Sequence, residues 1–516
     1  MTSVERRAEG TPASLAIAFV LLGSTMALAV GVVLGRGVMP IAAVTLGMAI
    51  VVVWYRRLAR WPTLVGAIVL IIMFIPIKQY KIAAGLPFDL EPYRIALAVV
   101  AALWIAAALT DPRTRLRQSF LDKPLLLVLA AVIGSILTNV GGIGERDFFL
   151  YRGEIYNRGD LSGDVLKKVL FLLSFFVFFY FVVSVVRTER MINAVVKTVV
   201  AAGGLVACAA IIEARTNYNV FNHIGSVFPV LQFQGAIGAD GIARGGRLRV
   251  YASAQHPIAL AVMFVMLIPL AFYLLRHTGN RIWAVVAVVL GLGAIGTVSR
   301  TSITTMAAAL LVFIWLRPRE IKRLIPLLPV VLVIVHLAVP GALGGIRQAF
   351  FPPQGLVSDQ TVYGGRVSSE RLGPEFDRIR ANPLFGQGYG TRITEIGLRK
   401  NARVLDDEWL GTASETGLIG LFAWLWFFIR FVRRTGKEAM LDLSSRGWLL
   451  VSLAAGAAAF AVGMLTYDAF SFIQVTFVVF LFAALGVCTL EAPGPWASAR
   501  GPATASRLGE AARQLS

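Results

Sequence analysis

Apolar blocks of about 16–24 residues, most of them separated by short polar links, run the length of this chain. A helix needs that length to cross about 30 Å of hydrocarbon. The pattern predicts membrane segments near 13–34, 38–54, 62–77, 92–109, 124–139, 166–186, 191–212, 255–275, 282–298, 301–316, 324–340, 413–432, 446–466 and 469–490. The fold class that follows is an all-α polytopic membrane protein with about 12–14 transmembrane helices. One polar island, roughly 341–412, breaks the pattern. Within it Leu372, Phe376 and Ile379 recur at helical spacing and Pro383 ends the run. This predicts a short amphipathic helix lying on the membrane surface or capping the bundle. The division expected is a cytoplasmic tail at 1–12, a transmembrane domain at 13–490, and a flexible cytoplasmic tail at 491–516, rich in Ala, Pro, Gly and Ser.

Composition agrees: 57% of residues are hydrophobic and mean hydropathy is +0.73. The first apolar run exceeds a signal-peptide core and reads as an uncleaved anchor. A net charge of +20 suggests nucleic acid until its distribution is considered. Basic residues crowd into every second link: Arg56, Arg57 and Arg60; Arg113, Arg115, Arg117 and Lys123; Arg187 and Arg190; Arg276 and Arg281; Arg317, Arg319, Lys322 and Arg323; Arg430, Arg433, Arg434 and Lys437. That alternation follows the positive-inside rule and places both termini in the cytoplasm. Much of the charge is therefore topological, and no nucleic-acid partner is expected. Cys208 and Cys488 fall inside predicted helices, and no metal-ligand spacing occurs, so neither a metal nor another cofactor is expected.

The loops assigned to the outer face, about 140–165, 213–254 and 341–412, hold arginines against that bias. Long loops cross the membrane largely regardless of charge, which accounts for Arg215 and Arg244. It does not account for Arg300, in a link too short to form a soluble domain. Arg249 lies shortly before a helix start at His256-Pro257. Guanidiniums at such a boundary make a place for an anion such as a diphosphate. His256 reads equally as a residue bonded to nearby backbone at the helix start. Asp406, Asp407 and Glu408 precede the twelfth span, and Glu415 follows Glu408 by about two turns, on the same face. The aspartates suit a helix cap, and a buried Glu415 needs a cation, for which Arg249 or Arg300 is the expected partner.

Together these residues resemble the O-antigen ligase/O-antigen polymerase superfamily of bacterial envelope glycosyltransferases. The matching features are Arg249 seven residues before His256-Pro257, then Thr297-Val298-Ser299-Arg300 at a helix end. Gly365-Arg366 follows in the long loop, then NPLFGQGYG from Asn382 to Gly390, then DDEWLGTASETGLIG over 406–420. The resemblance covers about 200–435 and implies a metal-independent, C-type glycosyltransferase-like fold. It implies transfer of a glycan from a polyprenyl-diphosphate donor to a lipid or glycan acceptor hydroxyl. The expected location is the outer face of the bacterial cytoplasmic membrane. Arg249, Arg300 and Arg366, with His256 nearby, become the diphosphate candidates. Asp406 takes the base position, with Asp407 and Glu415 as further catalytic candidates. The family often has His-Asn where this chain has Asp406-Asp407. An aspartate of pKa about 3.9 is a weak base unless desolvation raises it. Polymerase and ligase both fit the pattern. A transporter or flippase, the alternative, predicts paired intramembrane charges and an internal repeat. A non-catalytic assembly partner is the third reading.

Overall fold

The structure, a computed structural model, describes residues 60–82, 91–110, 116–144, 148–151, 154–157, 162–228, 230–235, 243–244, 247–297, 299–319, 369–396, 399–402 and 405–492. The segments expected at 13–34, 38–54 and 324–340, both tails and Arg366 lie outside the described residues. The other predicted spans are helices: α1 Trp61–Phe74, α2 Pro92–Thr110, α3 Asp122–Thr138, α4 Ser162–Val185, α5 Glu189–Thr216, α6 Pro257–Thr278, α7 Ile282–Gly296 and α8 Arg300–Leu316. The loop helix α9 spans Ser369–Ala381, followed by α10 Glu408–Leu441, α11 Ser445–Gly463 and α12 Ile473–Glu491. Seven of these are long and apolar enough to cross a membrane, and α1, α7 and α8 are shorter apolar helices. The protein is an all-α, multi-pass membrane protein, and the strands described form only two-stranded antiparallel pairs.

Helix α6 is the centre, packed against α5, α7, α8, α11 and α12. Its side chains are apolar all round and almost all buried, which is what a helix surrounded by protein requires. Aromatic contacts fill the layer between α4, α10 and α12, with Phe175 against both Phe477 and Phe480 and Trp424 against Phe470.

Among the described residues, basic side chains gather at one end of the bundle, where they satisfy helix C-termini. Arg187 Nε donates to the Ser184 carbonyl at 2.8 Å, and Arg446 donates to the carbonyls of Thr489 and Leu490. Buried Arg317 donates through Nη2 to the carbonyls of Ala439 (2.6 Å) and Asp442 (2.5 Å). These carbonyls have no partner within their own helices, and a cation there also suits the dipole. Arg317→Ala orphans both acceptors and should cost about 3 kcal/mol, read as a lower unfolding midpoint in detergent.

Candidate active site at the clustered helix N-termini

At the opposite end the N-termini of α6, α8, α10 and α12 come together around the C-terminus of α11. The Glu408 amide donates to the Met464 carbonyl (2.7 Å), so α10 begins where α11 ends. A Cβ placed on Gly463 would sit 3.1 Å from both Thr305 Cγ2 of α8 and Tyr467 Cε1. The ring of His256, which precedes α6, lies 5.6 Å from that of Phe472, which precedes α12, at a tilt of 39°. Four helix dipoles thus turn their positive ends to one region, a setting that favours an anion.

Apart from Arg366, which lies outside the described residues, each candidate site residue has a definite place. Arg249 is buried, and its Nε donates to the Thr297 carbonyl at 3.1 Å, joining the segment before α6 to the end of α7. Arg300 opens α8, with a buried Nε that has no hydrogen-bond partner. Thr301 Oγ1 and Tyr467 OH are likewise buried and unpartnered. Buried polar atoms are nearly always satisfied, so three orphans at one end of a bundle mark a place for a ligand or ordered water. His256 caps α6 through Nδ1, which accepts from the Ile258 amide at 3.2 Å. Asp407 caps α10 by accepting from the Leu410 amide at 3.1 Å. Burial pushes the Asp407 carboxyl upward, while the amides of Leu410 and Trp409 and the Arg392 charge pull it back. Asp406 is half-buried in a left-handed conformation (φ 54°), which Asp tolerates better than most residues.

Glu415 does not meet Arg249 or Arg300, as the sequence led us to expect. Its partner is Arg392, delivered by the segment after the GQGYG turn. Arg392, with a side chain only 2% exposed, reaches Glu408 (3.6 Å), Glu415 (3.7 Å) and Asp468. Its own amide donates to Glu415 Oε1 at 3.2 Å. Burial disfavours the guanidinium charge, but Asp468, Glu415 and Glu408 together raise its pKa above the ordinary value. Asp468 also accepts from the Asp406 amide at 3.3 Å, which ties the cluster to the candidate base. Lys168, Tyr389 and Trp424 help to enclose an adjoining cavity of about 40 Å³. That volume holds a few waters and no sugar ring. The cluster ties the segment after the GQGYG turn to the start of α10 and to the turn before α12.

The NPLFGQGYG loop has an equally specific task. Helix α10 is broken at Gly417 (φ 69°, ψ −169°), leaving backbone groups free on both sides of the break. The amides of Leu418 and Ile419 donate to the carbonyls of Pro383 (2.8 Å) and Leu384 (3.4 Å). The Ser414 carbonyl accepts from the Gln387 amide (2.9 Å), and the Glu415 carbonyl from Ser135 Oγ (2.6 Å). Asn139 Nδ2 closes the junction on the Gly386 carbonyl at 3.1 Å. Non-helical backbone at membrane depth survives only when protein satisfies it, as here. Loop helix α9 docks by a polar residue: buried Glu375 accepts from Ser414 Oγ at 2.7 Å and pairs with Arg378. Phe376, on the apolar face expected to meet the membrane surface or the bundle, is 48% exposed.

Residues 285–425 match the family model described as O-antigen ligase. This match supports the resemblance to the O-antigen ligase/O-antigen polymerase superfamily over that segment. The O-antigen ligase domain holds Arg300, the docked loop, Arg392 and Asp406 to Glu415, whereas Arg249, His256 and Asp468 join it from outside the match. The matched domain, in a multi-pass membrane protein, supports a role in polysaccharide assembly. A comparison with curated proteins finds no match.

Proposed function

We propose that this protein is a glycosyltransferase that moves a glycan from a polyprenyl-diphosphate carrier to an acceptor hydroxyl on the extracytoplasmic face of the bacterial cytoplasmic membrane. The observation that carries the reading is the buried, unpartnered Arg300 Nε among converging helix N-termini, beside the anchored Arg249. Such a place suits the diphosphate of a lipid carrier, whose isoprenoid chain stays in the bilayer. Asp406 takes the proton of the acceptor hydroxyl as that oxygen bonds to the anomeric carbon. The bond from that carbon to the diphosphate oxygen breaks, and Arg249 and Arg300 stabilise the departing anion. Arginines and helix ends supply the positive charge, so the reaction as written uses no metal. Arg366 belongs to the same proposal by its place in the motif. Asp407, Glu415 and His256 act on this reading by holding the site: two cap the helices that form it, and one fixes Arg392.

The test is transfer by the purified protein from polyprenyl-diphosphate glycan to an acceptor, with chelator present. Wild type should retain activity, and Arg300→Ala or Asp406→Asn should lower it about 100-fold or more. Elongation of a lipid-linked repeat marks a polymerase; transfer to lipid or to a different glycan marks a ligase. Donor crossing a liposome membrane with no new glycosidic bond would overturn the proposal in favour of a transporter.

A further inference from the structure

The basic end carries more positive charge than its helix caps use. A groove of about 830 Å³ opens there between the last turn of α8 and the C-terminal half of α10. Trp315, Trp426, Arg430, Arg433, Arg434 and Lys437 line it. Arg430 is anchored, its Nε donating to the Phe120 carbonyl at 2.6 Å and its guanidinium lying 5.8 Å from the Trp426 ring. Arg434 makes only a loose pair with Glu438 at 3.7 Å, and it is exposed. Arg433 and Lys437 are exposed too and make no ion pair among the described residues.

Depth decides what such a groove meets. The groove lies where α8 ends and α3 begins, because Trp315 is in the last turn of α8 and Arg430 bonds the Phe120 carbonyl two residues before α3. Arg430 to Lys437 thus lie at the level of lipid headgroups. Trp315, 57% exposed, and Trp426 sit where tryptophans favour the membrane interface. Exposed Leu425 and Ile429 continue the same helix toward the bilayer interior. One wall of the groove is therefore cationic at headgroup depth, and its floor is apolar on the side of the acyl chains.

We propose that this groove binds an anionic glycerophospholipid of the leaflet at the basic end, its phosphate held by Arg433, Arg434 and Lys437 and its chains lying along α10. The site is on the other side of the bilayer from the proposed transfer chemistry and does not depend on it. A basic, aromatic-rimmed pocket between membrane helices is the usual place for such a headgroup.

The test measures lipid bound to the intact protein in detergent, by native mass spectrometry, during titration with phosphatidylglycerol or phosphatidylcholine. Wild type should retain phosphatidylglycerol in preference to phosphatidylcholine, and millimolar inorganic phosphate should not displace it. Arg433→Gln/Arg434→Gln should weaken retention about thirtyfold. Arg190→Gln/Arg281→Gln removes the same charge from exposed positions elsewhere at that end and should change it less than about twofold. Arg433→Lys/Arg434→Lys keeps the charge and should retain binding. Equal retention of the two lipids by wild type would sink the proposal without recourse to any variant. So would equal losses in the two glutamine doubles, which would mean diffuse attraction, or displacement by inorganic phosphate, which would mean a site for free anions.

Discussion

Arg392→Met is expected to cost about 3–5 kcal/mol of stability and to abolish glycan transfer, although Arg392 touches no substrate in the proposed reaction. The change leaves Glu408, Glu415 and Asp468 facing one another in a buried space with their common cation gone. Uncompensated charge outweighs lost packing here, because methionine fills much of the arginine stem's volume. The loss also frees Asp468, which holds the Asp406 amide, so damage should reach the base even in protein that remains folded. Arg392→Lys should rescue little, since a point-like ammonium cannot replace a planar fork bonded on three sides. Thermal unfolding in detergent checks the stability, and Arg392→Met/Asp468→Asn/Glu408→Gln separates causes. If charge is the cause, the triple variant should be more stable than the single one. A single variant as stable and active as wild type would remove the cluster from the account.

What the sequence made legible follows from the strength of each local signal. Hydropathy marked the helices because a membrane span must be apolar along its whole length, and Ser369–Ala381 showed through its 3.6-residue period. Arg300 stood out because a charge in so short a link has no bland explanation. Arg392 was missed because it lies in a loop already rich in charge, where one more arginine carries no contrast. Asp468 had the signal that Arg392 lacked: it is the sole Asp, Glu, Lys or Arg between Arg446 and Glu491, a charge in an otherwise apolar stretch. Read by the rule that flagged Arg300, it would have been found. The role of Glu375 was hidden for another reason. Periodicity marked an apolar side of α9 for the membrane surface or the bundle, but it carried no sign that the helix would dock through a buried hydrogen bond from Ser414 to Glu375. The break in α10 is a tertiary property, since Gly417 is helix-compatible in isolation and is fixed only by a loop about thirty residues earlier.

Gly417→Ala should be the most damaging of the conservative substitutions, costing more than about 4 kcal/mol and eliminating transfer. Two effects add. At φ 69° and ψ −169° the backbone occupies a region that is essentially reserved for glycine, a strain of about 1–3 kcal/mol for any other residue. A Cβ there would also lie 2.2 Å from the Leu384 carbonyl oxygen and 2.6 Å from the Phe385 amide nitrogen. Those are backbone atoms of the docked loop, so no side-chain rotation relieves the contact. Either the loop leaves, orphaning the amides of Leu418 and Ile419, or α10 straightens and carries Glu415 away from Arg392. Both outcomes disconnect the loop from the helix that presents Asp406 and Asp407. Gly386→Ala meets the same junction from the loop side, where a Cβ would fall 2.6 Å from the Ser414 carbonyl oxygen, and should fail in the same way. Gly291→Ala, in α7 with nothing within 4 Å of the added carbon, should leave stability unchanged or slightly higher. Unfolding midpoints of the three variants in one detergent make the comparison. Equal midpoints for Gly417→Ala and Gly291→Ala would mean that the loop is not what holds the helix open.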